Sequence, residues 1–247
     1  GVPPDYFSET GQLWGNPHYQ WALMQDDQFS WWRARIANVL RQVDLVRIDH
    51  FRGLEALWEV PVAEKTAING RWVETPGRQL LEALREDFPH MPFIAEDLGV
   101  ITPAVTALRD AFNLPGLSVL QFGFDGMADN PHSLQNQVEN SVVYTGTHDN
   151  NTSCGWFNSL PCELQEQVLS QLPRPVGPMP WPLIVAALRS PARLAVIPMQ
   201  DWLGLDERHR FNTPGTTEHN WIWAFSWEQL SESLTAAIRD WVSRTER

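Results

Sequence analysis

Three short apolar runs in this sequence each hand over to an acid at their C-terminal edge. They read Val46-Arg47-Ile48-Asp49-His50-Phe51-Arg52-Gly53, then Phe93-Ile94-Ala95-Glu96-Asp97-Leu98-Gly99, then Tyr144-Thr145-Gly146-Thr147-His148-Asp149-Asn150-Asn151. If the runs are parallel strands, their C-terminal ends share one rim, and Asp49, Glu96 and Asp149 converge there. Converging carboxylates suit the breaking of glycosidic bonds. One attacks or steadies an oxocarbenium-like centre, and another stays protonated to serve the leaving oxygen. Crowding drives their acid constants apart, because like charges at close range do not all ionise cheaply. In the retaining form of this chemistry the two working carboxyls lie about 5–5.5 Å apart. Arg47, two residues before Asp49, points to the same side of its strand and can orient that anion. His50, His148, Asp49 and Asp149 could instead ligate a divalent ion, but no H-E-x-x-H or Cys-x-x-Cys spacing supports this. There is no G-x-S-x-G elbow, P-loop or G-x-G-x-x-G run.

The elements that must position these residues follow from the apolar pattern. Residues 1–27 read as loop, with Pro3-Pro4, Gly11, Gly15 and Asn16-Pro17. Residues 28–43 carry Trp32, Ile36, Val39, Leu40 and Val43 at helical spacing. Strands are predicted at Leu45–Asp49, Phe93–Asp97, Val119–Phe124, Val142–Thr147 and Leu194–Met199. The runs are continuous rather than alternating, the pattern of parallel strands buried on both faces. Helices are predicted at Gly77–Phe88, Thr102–Phe112, part of Pro131–Val138, 161–171 and 181–189. A last helix spans 227–246, with Ser226 as its N-cap. Strand alternating with helix means an α/β fold with a parallel sheet. A (β/α)8 barrel of roughly 250 residues and a doubly wound sheet both satisfy this pattern. Long gaps between some strands imply inserted loops.

Composition narrows the partners. The chain has 247 residues, 18 Lys+Arg against 30 Asp+Glu, and a net charge of −12. Such a chain repels phosphate backbones, so nucleic acid and anionic membrane are poor partners. No apolar run approaches the ~20 residues of a membrane helix. Cys154 and Cys162 alone cannot build a disulfide scaffold and read as reduced thiols of a cytoplasmic protein. The 13 tryptophans are suited to stacking on sugar rings, although most must serve packing.

At the three acidic blocks the sequence resembles the 4-α-glucanotransferases, the amylomaltases or disproportionating enzymes of starch, glycogen and maltodextrin metabolism. Gly1-Val2-Pro3-Pro4-Asp5-Tyr6-Phe7-Ser8, Gly11-Gln12-Leu13-Trp14-Gly15-Asn16-Pro17 and Arg210-Phe211-Asn212-Thr213-Pro214-Gly215-Thr216 agree with the same family. The resemblance runs from residue 1 to about residue 227, and the blocks occur in the family's order. It implies a retaining 4-α-glucanotransferase that moves α-1,4-glucan segments between malto-oligosaccharides. Asp49 would be the nucleophile of a covalent glucosyl-enzyme, Glu96 the general acid/base and Asp149 the transition-state stabiliser. Arg47, His50 and His148 would bind sugar where cleavage occurs. Tyr6 and Phe7 would lie on a lid, Trp14 and Asp125 near bound glucan, and Asn212 in a further matching block. The family uses no cofactor and no metal. Its catalytic chain is about twice this length, with the Asp49-type nucleophile on the fourth strand of a (β/α)8 barrel. Residues 1–247 would therefore be the C-terminal part of that catalytic domain, holding strands four to eight. An α-glucan hydrolase and an inactive glucan-binding fragment lacking the N-terminal half are the alternatives. The resemblance leaves the oligomeric state open.

Overall fold

The computed structural model describes residues 1–5, 8–173 and 177–247. The chain divides into two compact units, Gly1–Leu117 and Ser118–Arg247.

The first unit starts with two short helices, α1 (Trp21–Asp26) and α2 (Ser30–Leu40). Helix α1 lies in the stretch expected to be loop. At six residues it is too short for its apolar positions to declare a period. Strand β1 (Val46–Ile48) follows, then an antiparallel hairpin of β2 (Ala56–Glu59) and β3 (Arg71–Glu74). Trp58 and Trp72 face each other across that hairpin, with ring centroids 5.2 Å apart. The sequence reading did not anticipate the hairpin, because its strands are short and mixed in polarity. Helix α3 (Gly77–Asp87) turns Leu80, Leu81 and Leu84 inward. Strand β4 (Phe93–Ala95) is buried throughout and pairs in parallel with β1, Ile48 opposite Ala95. Helix α4 (Pro103–Ala111) is capped by Thr102, whose hydroxyl accepts the Val105 N–H, and has Pro103 at its first position. The core of this unit gathers Ile36, Phe51, Leu80, Leu84, Phe93 and Val105 around the β1–β4 pair.

Strand β5 (Gly116–Val119) crosses the division between the units. It ends where the strand expected at Val119–Phe124 begins; Leu120–Phe122 is a 3-10 turn. A buried apolar run looks the same from sequence in either state, and fully buried Leu120 packs into the core from a turn. Strands β6 (Ser141–Tyr144) and β7 (Leu194–Val196) pair in parallel, and the sheet order is β5-β6-β7. Between them lie α5 (Ser153–Ser159), α6 (Cys162–Gln171) and α7 (Trp181–Arg189), which is almost wholly buried. The four-residue α8 (Met199–Trp202) follows β7 directly.

Two expected helices are corrected in this unit. Pro131–Val138 yields only a 3-10 turn at Leu134–Asn136. There the Asn136 amide donates to the Ala128 and Asn130 carbonyls, and the Ser133 hydroxyl to Asn130, so side chains compete with a helix for the backbone. Ser226 caps a 3-10 turn, Trp227–Gln229, through a capping box with Gln229. The last helix, α9 (Glu232–Arg244), starts afresh with Ser231 as its cap. Cys154 and Cys162 are free thiols. No helix among the described residues is long and apolar enough to cross a membrane.

Candidate active site

In the first unit, backbone hydrogen bonds carry the β1–β4 pairing past the strand ends. The Glu96 N–H donates to the Ile48 carbonyl, and the Phe51 N–H donates to the Glu96 carbonyl. Asp49 and Glu96 therefore leave neighbouring parallel strands at the same end, as the sequence reading expects. His50 adopts a left-handed backbone (φ 48°, ψ 54°), which turns the chain sharply after Asp49. That turn aims the His50 N–H at Glu96 Oε2, 2.6 Å away, while the Leu98 N–H reaches Oε1 at 3.1 Å. Gly53 is needed here, since a Cβ would lie 2.9 Å from Cδ2 of the His50 ring.

The two carboxyls differ in setting. The Asp49 side chain is 81 % exposed, and Arg47 Nη2 holds its Oδ1 at 2.8 Å. Glu96 is half-buried, and burial pushes its pKa up. The Asp49 charge adds to the rise, while the His50 and Leu98 N–H groups and Arg47 oppose it. This is the division of labour that a nucleophile and a proton donor need. Asp97, next to Glu96, does a different job. Its nearly buried carboxylate bonds the Arg109 guanidinium at 2.5 Å and the Leu117 N–H at 2.8 Å, tying β4 to α4 and β5.

Burial, the largest cause, lowers the pKa of His50 below its ordinary 6.5; Arg52 adds to the drop and Asp49 opposes it, so the ring favours its neutral form. Its Nε2 and the Arg47 Nε have no hydrogen-bond partner among the described residues. Buried polar atoms with unused capacity call for an explanation, and a ligand hydroxyl supplies one. Trp14, 41 % exposed, meets the His50 ring edge-on with centroids 4.8 Å apart. Tyr6 and Phe7 lie outside the described residues.

In the second unit, the loop after β6 carries His148 and Asp149. Asn150 Oδ1 accepts from both the N–H and the hydroxyl of Thr147, which closes the turn. Asp149 Oδ2 lies 3.3 Å from His148 Nε2, and Oδ1 accepts from Asn212 Nδ2 at 2.5 Å. Asn212, placed in a matching block but without firm chemistry, is thus a direct partner of Asp149. The sequence reading missed Arg210, whose Nη2 donates to the Asp149 carbonyl and whose Nε donates to the Asn212 carbonyl. It also missed Trp221, 60 % exposed and 5.2 Å from the His148 ring between centroids. A cavity of about 270 Å³ opens beside this loop, lined by Thr147, His148, Asn150, Arg210 and Phe211 among others. Asp125 lies in a separate turn, where Asn130 and the Met127 N–H lower its pKa.

A fold of parallel strands with paired acids at their ends defines a class, and comparison with known proteins names the family. The family model described as 4-alpha-glucanotransferase matches residues 1–230. The 4-alpha-glucanotransferase of Thermus thermophilus is 46% identical over 100% of this chain and 51% of its own length. That of Synechocystis sp. is 49% identical over 96% of this chain and 48% of its own. Among solved structures, an amylomaltase from Streptococcus agalactiae in complex with acarbose aligns with a TM-score of 0.94 at 33% identity. That alignment covers 100% of this chain and 50% of the amylomaltase. The chain belongs to the 4-alpha-glucanotransferase family, and it spans about half the length of the curated relatives it matches.

Proposed function

We propose that this protein is a retaining 4-α-glucanotransferase acting on α-1,4-linked malto-oligosaccharides. The observation that carries the reading is the Asp49–Glu96 pair: an exposed carboxylate held by Arg47 beside a half-buried carboxyl whose pKa burial raises. Asp49 attacks the anomeric carbon and the bond to the leaving 4-oxygen breaks, while Glu96 gives that oxygen its proton. Asp49 is then an uncharged ester. The charge that helped raise the pKa of Glu96 is gone, which suits Glu96 to its second task as base. Glu96 takes the proton of an acceptor sugar's 4-hydroxyl, whose oxygen attacks the same carbon and frees Asp49.

Asp149 steadies the transition state, positioned by Asn212, Arg210 and His148. Neutral His50, with its unused Nε2, and Arg47 bind sugar hydroxyls. Trp14 shields that position from water, and Asp125 lies near the bound glucan. In this reading β1, β4, β5, β6 and β7 are strands four to eight of a (β/α)8 barrel, the C-terminal part of the catalytic domain. A cytoplasmic location is proposed on the two free thiols, which suit a reducing compartment, while the Solanum tuberosum relative is named as chloroplastic/amyloplastic.

Maltotriose tests the proposal. Glucose together with oligomers longer than maltotriose is the expected product pattern. Glucose and maltose alone would make the protein a hydrolase, and binding without turnover would make it a glucan-binding protein.

A further inference from the structure

The chemistry above leaves one buried acid unused. Asp201, in α8, is 2 % exposed. Its Oδ2 accepts from the Thr145 hydroxyl at 2.5 Å and the Ser153 hydroxyl at 2.7 Å, and its Oδ1 accepts the Ser153 N–H at 2.7 Å. Thr145 and Ser153 are themselves fully buried. Thr145 is the first residue after β6, and Ser153 is the first residue of α5. The segment between them, 146–152, holds His148 and Asp149. A buried carboxylate is costly unless its lone pairs are met, and here three donors meet them. An apolar side chain at 201 would fill the space but leave the Ser153 N–H and two hydroxyls without this acceptor.

We infer that Asp201 is a positioning residue: its carboxylate ties both ends of the 146–152 loop to one point in α8, and so fixes where Asp149 is presented. This inference rests on the role proposed for Asp149. Burial raises the pKa of Asp201, and the three hydrogen bonds from Thr145 and Ser153 oppose that rise. Asn212 and Arg210 hold Asp149 from one side of the loop; Asp201 holds the loop itself. Loss of that tether moves a charge aimed at the transition state, and a displacement of about 1 Å can cost about 100-fold in rate.

The test uses steady-state disproportionation of maltotriose by the whole protein. Asp201→Asn keeps the shape but replaces one acceptor oxygen with a donor amide. The expected result is a kcat lower by about 100-fold with KM within about twofold of wild type. In an Asp149→Ala background the same substitution should cost no further kcat, because the group it positions is gone. Equal losses in both backgrounds, or parallel changes in kcat and KM, would overturn the inference in favour of a purely structural role. Thr145→Val provides a second arm if Asp201→Asn does not fold. It removes one hydroxyl at constant shape and should lower kcat, and Thr145→Ser should restore it. Full kcat in Thr145→Val would also overturn the inference. If Asp149→Ala alone has wild-type kcat, the failure belongs to the proposed role of Asp149 and is recognisable as such.

Discussion

The Asp49–Glu96 end of the first unit and the Asp149 loop of the second hold their carboxylates by different means. Asp49 and Glu96 are set by strand register. Ile48 pairs with Ala95, and two backbone hydrogen bonds continue that pairing through Glu96 to Phe51. Little freedom remains for the backbone there, and the environment then separates the roles, with one acid in water and the other half-buried. Asp149 is set by side chains instead. Asn212 and Arg210 come from more than sixty residues away in sequence, and the loop ends are tied to Asp201. Backbone register places the proposed nucleophile and its proposed acid, whereas a side-chain net places the group proposed to steady charge. The first arrangement should therefore fail by losing chemistry, and the second by losing position.

The largest effect should come from Asp49→Asn. The substitution is nearly isosteric and removes the attacking charge. Turnover of maltotriose should fall by at least about 10⁴-fold, the scale of losses when a nucleophile is removed. The melting temperature should barely move, because the side chain is 81 % exposed and its pair with Arg47 is a surface one. Wild-type turnover in this variant would take the nucleophile's role away from Asp49.

Glu96→Gln comes next and probes the other half of the register pair. Loss of the acid should cost about 10²–10⁴-fold with oligosaccharide donors. A glucosyl fluoride donor needs no protonated leaving group, so it should still load Asp49. The pH profile carries a sign. Burial and the Asp49 charge raise the pKa of Glu96, so its protonated form persists to higher pH than for an ordinary glutamate. In wild type the alkaline limb of kcat/KM should lie above the usual carboxylate range, and in Glu96→Gln it should vanish. A limb in the ordinary glutamate range would mean that burial does not control this group.

Arg210→Lys tests the side-chain net. The guanidinium spans the Asp149 and Asn212 carbonyls with two differently directed N–H groups, and an ammonium cannot reproduce that fork. The expected loss is about 10- to 100-fold, the worth of a charge-assisted hydrogen bond, and it should fall on kcat rather than KM. A loss confined to KM would make Arg210 a binding group and weaken the contrast between the two regions.

That contrast also explains what the sequence could reveal. The positions of Asp49 and Glu96 were legible because each directly follows an apolar strand, and that of Arg47 because alternation along the strand puts it beside Asp49; Asp149 lies further on, in the loop after β6. Helix α3 was legible almost to the residue, since its leucines recur at helical spacing up to Asp87. The hairpin of β2 and β3 was not, because four-residue strands of mixed polarity show no period. Strand β5 was displaced because buried apolar residues continue past its end into a turn. Arg210 and Asp201 were hidden for a related reason. Their value lies in partners roughly fifty to sixty residues away, and no local pattern records such a pairing. The family resemblance supplied Asn212 as part of a block, but only its bond to Asp149 gives it a reason to be there.

The smallest effect concerns the wall of the first site rather than its acids. Trp14 meets His50 edge-on, and its own indole N–H is anchored on Gln12 Oε1 at 3.0 Å. Burial is the main reason the pKa of His50 lies below its ordinary 6.5. Trp14→Ala opens one side of the ring to water, so the charged imidazolium becomes less costly and the pKa should move back up towards 6.5. NMR titration of the His50 ring protons reads this directly. The same opening admits water beside the sugar-binding position, so water competes better with an acceptor hydroxyl. The hydrolysis-to-transfer ratio on maltotriose should then rise by about threefold, roughly 0.65 kcal/mol at 1.4 kcal/mol per tenfold. Bond cleavage itself should change little, because neither acid is touched. The two readouts must move together if Trp14 is what keeps His50 dry. A raised ratio with an unmoved His50 titration would mean that Trp14 shields the acceptor but not the histidine, and that residues other than Trp14 account for the burial of the imidazole.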